Sequence, residues 1–139
     1  MKLKKVLAVV LSTMMVAGMA VTGAAADASL PIGSVGYASC YVYCGNSSAG
    51  ADTDVYSDVY VDSIDAYVDV TFTAAHEITG YEITVGSDSD SVSDIGTNAY
   101  ASVYISDNLD GFVGSEAESY HEGYISGYNP VKTTITDYN

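Results

Sequence analysis

The sequence predicts an all-β fold, a small antiparallel sandwich of about seven strands behind a cleaved leader. Three observations point there. From Ser34 onward the apolar residues recur with a period of two, and Tyr, Val, Ile and Thr dominate the alternating runs. Both features suit pleated strands. Clusters of Gly, Asn, Asp and Ser divide these runs at fairly regular spacing, as in a sandwich rather than a meander or small barrel.

The chain opens differently. Lys2, Lys4 and Lys5 precede a stretch from Val6 to about Val21 that is apolar apart from Ser12, Thr13 and Gly18, and Ala24-Ala25-Ala26 stands before Asp27. A charged start, an apolar run and small residues are the parts of a bacterial-type signal peptide. Residues 1–26 are therefore read as the leader, 27–34 as a flexible mature N-terminus and 35–139 as a single domain. The apolar run is shorter than the ~20 residues that cross a bilayer, and no later run approaches that length, so the product is expected to be secreted and extracellular, with no membrane after cleavage.

The first strand is placed at Val35 to Cys44, with Ala38, Cys40 and Val42 on one face and Tyr37, Tyr41 and Tyr43 on the other. A loop at Gly45 to Gly50 follows. In Thr53 to Val61 the odd positions Val55, Val59 and Val61 are apolar, whereas from Ile64 the even positions Ile64, Ala66, Val68, Val70 and Phe72 are. The phase change requires a turn or bulge at Asp62-Ser63, and a tight hairpin is the expected form, since Asp and Ser are turn residues.

A fourth strand fits Glu77 to Val85, and the nearly all-Ser/Asp segment Gly86 to Asp94 reads as a loop. Ala99, Ala101, Val103 and Ile105 mark a fifth strand over Asn98 to Ile105, ended by Asp107-Asn108-Leu109-Asp110-Gly111. The Asp-Gly pair favours that turn. Phe112 to about Ser126 is the sixth strand, and Val131 to Tyr138, after a turn at Gly127 to Pro130, is the seventh. With no Trp, and both cysteines in the first strand, the immunoglobulin pattern is not met.

Charge narrows the partners. All 18 acidic residues follow Ala26 and three of the four Lys precede it, so Lys132 is the only base of the mature chain. Nucleic acid and anionic lipid are poor partners on this ground, so no nucleic acid is expected, and an unknown protein or glycan outside the cell is expected instead.

Cys40 and Cys44 are candidates for a disulfide in an exported chain. On one straight strand their Cα atoms would stand about 13 Å apart, beyond bridging distance, so packed thiols compete with that reading. Asp88, Asp90 and Asp94 have the oxygen density of a Ca2+ loop, but Val92, Ser93 and Ala99 occupy positions where an EF-hand needs an oxygen ligand, Gly and Glu. Tyr is the most unusual residue, at 13 copies. The rows Tyr56 and Tyr60, Tyr100 and Tyr104, and Tyr120 and Tyr124 would set flat amphipathic rings beside carboxylates, a surface suited to sugars or a protein.

No catalytic signature emerges. His76-Glu77 and His121-Glu122 are adjacent on strands and so point to opposite faces, and neither sits in a nucleophile elbow or a zinc-binding helix. The expectation is a non-enzymatic binding or structural module acting through an acidic, Tyr-rich sheet surface. A calcium-dependent carbohydrate-binding domain is the alternative, and self-assembly through Tyr-rich edge strands near the low isoelectric point is a third reading.

Overall fold

The structure, a computed structural model, describes residues 25–106 and 109–139 together with the backbone of the short strand Met19–Ala20. Most of the expected leader, and Asp107 and Asn108 of the expected turn, lie outside the described residues. The fold is all-β and built on an antiparallel sheet, with no helix among the described residues. The strands are β1 (Met19–Ala20), β2 (Ala26–Ile32), β3 (Gly36–Cys44), β4 (Ser48–His76), β5 (Glu82–Ser106), β6 (Phe112–Ile125) and β7 (Val131–Tyr138). They form one sheet in the order β1-β7-β6-β4-β3-β2, with β5 on the free side of β4. Every pairing is antiparallel except the short parallel contact of β1 with β7.

The tight hairpin expected at Asp62-Ser63 does not form. β4 runs on through that point as one strand of 29 residues, and the phase change is absorbed by bulges against β5, between Tyr56 and Val61 and between Val61 and Ile64. Ser57 stabilises the bulge, its hydroxyl donating to the Val59 carbonyl at 2.7 Å. On the facing strand the bend falls at Gly96, whose φ of 145° is a conformation that side chains resist. Val59 and Tyr60, on the outside of the bend, are 51% and 74% exposed.

Because β4 bends, its two halves take different neighbours on one edge. Residues 49–57 pair with β3 and residues 64–76 with β6, while β5 follows both halves on the other edge. The single sheet thereby folds back on itself into a nearly closed, barrel-like shape, in place of two separately hydrogen-bonded layers. Ala49, Ala51, Val55, Ala38, Cys40 and Val42 on one half face Ile64, Ala66, Val68, Val70 and Phe72 on the other. Small residues set the spacing between them. A Cβ added to Gly123 of β6 would lie 2.8 Å from the Ala38 Cβ and 3.0 Å from Val55 Cγ2.

Two further expectations are corrected. The segment read as a flexible N-terminus is strand β2, where Ala26, Ala28, Leu30 and Ile32 are buried and alternate with Asp27, Ser29 and Pro31. Its alternation buries one row against β3, and Pro31 is tolerated because β2 lies at the edge of the sheet. Gly86 to Asp94, read as a loop, is the first half of β5 and pairs with β4 from Phe72↔Gly86 to Ile64↔Asp94. Ser and Asp are weaker strand formers than Val, but a partner strand that supplies the backbone hydrogen bonds overrides that preference.

Replacing Gly123 by Val forces an isopropyl group between the two halves, and overpacking of this kind costs about 1–3 kcal/mol. Urea titration should show a lower midpoint for Gly123→Val with the slope retained. Ser91→Val, on the exposed side of β5, should stay within about 0.5 kcal/mol of the parent.

Candidate binding face

The outward residues of the second half of β4 are Asp65, Tyr67, Asp69 and Thr71. Across β6 they face Tyr124, Glu122, Tyr120 and Glu118 in that order. On the β5 side they face Ser93, Ser91, Ser89 and Ser87. Acid and phenol thus alternate both along the strand and across it. Like charges directly opposite each other destabilise a sheet, and here Tyr124, Glu122 and Tyr120 answer Asp65, Tyr67 and Asp69 so that no carboxylate of the three rows meets another.

The phenols also supply the donors that a chain with so few bases lacks. Tyr67 donates to Asp69 Oδ2 and Tyr120 to Glu122 Oε2, each at 3.0 Å. The Ser93 hydroxyl donates to Asp65. Burial and the Glu122 carboxylate push the Tyr120 hydroxyl up to about 12, and the bond to Asp69 pushes Tyr67 up as well. Both rings therefore stay protonated and stand 6.0 Å apart, edge to face.

Two shallow grooves flank Tyr67. One, of about 370 Å³, is lined by Asp65, Tyr67, Ser93, Glu122, Tyr124 and Pro130. The other, of about 400 Å³, is lined by Tyr67, Asp69, Thr71, Ser87 and Ser89. Their sizes fall in the range of small-molecule sites. Tyr67 is the residue that sequence reasoning did not single out, although its place between Asp65 and Asp69 on a polar strand row was readable.

The six tyrosines named from the sequence do not form one surface. Tyr120 and Tyr124 belong to the face just described. Tyr56, Tyr100 and Tyr104 project from the first half of the sheet, on the opposite side of the molecule, with Tyr37, Tyr41 and Tyr43, while Tyr60 stands alone at the bend. On that second face Tyr41 lies between Asp27 and Asp52, and Tyr100 lies opposite Asp54. The ring of Tyr43 covers Gly50, where an added Cβ would come within 2.6 Å of it.

Asp88, Asp90 and Asp94 sit opposite Val70, Val68 and Ile64 on β4, so they point to the inner side of the sheet at its β5 edge. Each finds its own backbone donor: Asp88 takes Ser89 N at 2.9 Å, Asp90 takes Ser102 N at 3.0 Å and Asp94 takes Ile95 N at 2.7 Å. Among the described residues no group of three or more His, Cys, Asp or Glu side chains is arranged to hold a metal ion. The contact from Asp90 to Ser102 ties one half of β5 to the other and closes the barrel-like turn. Inward-pointing charge of this kind also blunts an edge against strand addition.

The cysteines do not form the disulfide considered from the sequence. Both are free and buried on the inner face of β3, with three residues of extended strand between them. Burial pushes Cys40 up to about 12 and Cys44 up to about 11, the latter with help from Asp137.

His121 is sealed in the core. Its Nδ1 stands 2.8 Å from Thr53 Oγ1 and its Nε2 2.7 Å from Ser119 Oγ. The Thr53 hydroxyl donates to the Tyr67 carbonyl at 2.8 Å, which leaves its oxygen to accept from Nδ1–H, while the Ser119 hydroxyl, shared between Nε2 at 2.7 Å and the Ile135 carbonyl at 3.2 Å, is the donor toward the neutral ring's other nitrogen. Burial lowers the imidazole to about 3. This is a structural strut between the two halves of the sheet, out of reach of any substrate. His76 caps a turn instead, its Nδ1 accepting from Ile78 N and Thr79 N at 3.3 Å each.

Asp137 is a buried carboxyl. Its Oδ2 accepts from Cys44 N at 2.7 Å, while Oδ1 has no partner. Compared with protein-family models and with curated proteins, the sequence matches none.

Burial pushes Asp137 up from 3.8 to about 6, with the Cys44 and Tyr138 amides opposing. A carboxyl that holds its proton more tightly when folded stabilises the fold at low pH. That contribution is fully present below about 3.8 and is lost as pH rises through about 6. Thermal melts from pH 4 to 7 should show stability falling across this window, and Asp137→Asn should remove that component while gaining stability at pH 7. Both thiols should resist a disulfide reagent in the folded protein and react only in denaturant.

Proposed function

We propose that the protein is a secreted, non-enzymatic binding or structural module that works through its acidic, Tyr-rich sheet face. The single observation that carries this reading is the pair of grooves about Tyr67, where phenol rings, carboxylates and a row of Ser hydroxyls converge on one rigid sheet. Flat rings stack on the apolar faces of sugars, and carboxylates and hydroxyls bind their hydroxyl groups or a cationic side chain. Sites held on strands keep their geometry better than sites on loops.

The partner is a glycan or a protein outside the cell, and no nucleic acid, because the chain after Ala26 sets one base against 18 acids. The calcium-dependent version of this reading loses its proposed ligands, since Asp88, Asp90 and Asp94 are spread along a strand with separate backbone partners.

A glycan array and a panel of basic peptides test the proposal. Binding should survive chelator, should weaken by at least about tenfold in Tyr67→Ala, the size of loss seen when a central aromatic is truncated, and should be unchanged in Tyr60→Ala at the bend. No binding on either panel, or equal binding by both variants, would sink it.

A further inference from the structure

The face opposite the grooves carries a different chemistry. Tyr37 of β3 and Tyr56 of β4 are directly opposite each other in the sheet. Their rings are stacked, with centroids 5.3 Å apart and planes 29° apart. They are 43% and 40% exposed, so a reagent in solution reaches both. The remaining ring pairs fit less well. Tyr41 and Tyr43 are tilted at 6.2 Å on one strand, and Tyr67 and Tyr120 meet edge to face.

We propose that Tyr37 and Tyr56 form a site of oxidative tyrosine coupling, joined through their ortho carbons by a haem peroxidase and hydrogen peroxide.

Three observations beyond the ring geometry support it. Asp54 stands two residues before Tyr56 on the same face of β4 and holds the phenol above its ordinary range, a carboxylate placed to take the phenol proton as the electron leaves. Asp54 is itself held by the Asn98 side chain. Among residues 25–139 competing sinks are few: that stretch has no Trp and no Met, and Cys40 and Cys44 are buried thiols. Met and exposed thiolates are the usual first targets of oxidation. Finally, both cysteines lie on β3 and are free, so among the described residues a Tyr37–Tyr56 bond would be the covalent link between β3 and β4.

The step balances as follows. Each phenol gives up one electron and one proton, and the two electrons and two protons reduce one hydrogen peroxide to two waters. The two phenoxyl radicals combine in a carbon–carbon bond. The ortho hydrogens then leave the ring carbons as the phenol oxygens regain theirs, so the product is two hydrogen atoms lighter than the parent. The linked rings remain on neighbouring strands, and the pairing of β3 with β4 is kept.

The test treats the dilute monomeric protein with a haem peroxidase and limiting hydrogen peroxide. Dityrosine fluorescence should appear in the monomer, with a mass loss of two hydrogens. After cleavage at Asp residues, the linked peptides should contain Tyr37 and Tyr56. Tyr37→Phe and Tyr56→Phe, which keep the rings and the sheet, should each abolish the monomer signal, and Asp54→Asn should slow it. Linkage at another pair, linkage between molecules only, or an undiminished signal in either Phe variant would overturn the proposal. An unchanged rate in Asp54→Asn would overturn the role given to that carboxylate.

Discussion

The shift of phase in the middle of β4 is the constraint on which the rest of the fold depends. Before the bend the odd residues of β4 are buried, and after it the even ones are. Only a strand that changes its inward face can line both sides of the same core. The bulges at residues 57–63 and the positive φ of Gly96 provide that change without breaking the hairpin between β4 and β5. The placement of β3 against β6, the burial of His121 beneath Thr53, and the separation of the two Tyr faces onto opposite sides all follow from this one bend. A tight turn in its place would have ended β4 and left β5 with a partner for only half its length.

Charge imposes the second condition. A sheet whose exposed positions carry carboxylates, with so few bases to answer them, would suffer repulsion between opposed positions. The structure meets this by interleaving. Tyr41, Tyr67, Tyr100, Tyr120, Tyr124 and Tyr138 each stand directly opposite an acid on a neighbouring strand. The rings add cross-strand packing, and several phenols donate to the same carboxylates. This arrangement serves stability first, and its by-product is a surface of rings and acceptors that a ligand can use. At Tyr56 the acid is on the same strand, Asp54 two residues away, and it places a proton acceptor beside an oxidisable phenol.

The core is held by small residues and, among its buried polar side chains, by His121 and Asp137, two ionisable groups of unlike character. The His121 strut is satisfied at both nitrogens and stays neutral, so it joins the two halves of the sheet at little electrostatic cost. Asp137 is satisfied at one oxygen only, and burial of its charge works against the fold. One group tightens the structure at every ordinary pH, and the other loosens it as the proton leaves.

Much of the pattern was legible along the chain. The alternation placed β3, β6 and β7 nearly to the residue, and it exposed the phase change in β4, because burial of one row per strand is a local rule. Other features were not local. Gly86 to Asp94 reads as a loop until β4 supplies its backbone partners, and Ala26 to Ile32 reads as a tail until β3 covers its apolar row. The six Tyr named from the sequence looked like one surface, yet the bend sends them to two faces and leaves Tyr67 at the centre of the grooves. The amino-acid sequence by itself determined an all-β chain with one apolar row per strand and Tyr interleaved with acid, since side-chain period and charge are written residue by residue. Only the tertiary structure decided that the phase change is a bulge rather than a turn, and therefore which rings meet, because that choice depends on hydrogen-bonding partners distant in the chain.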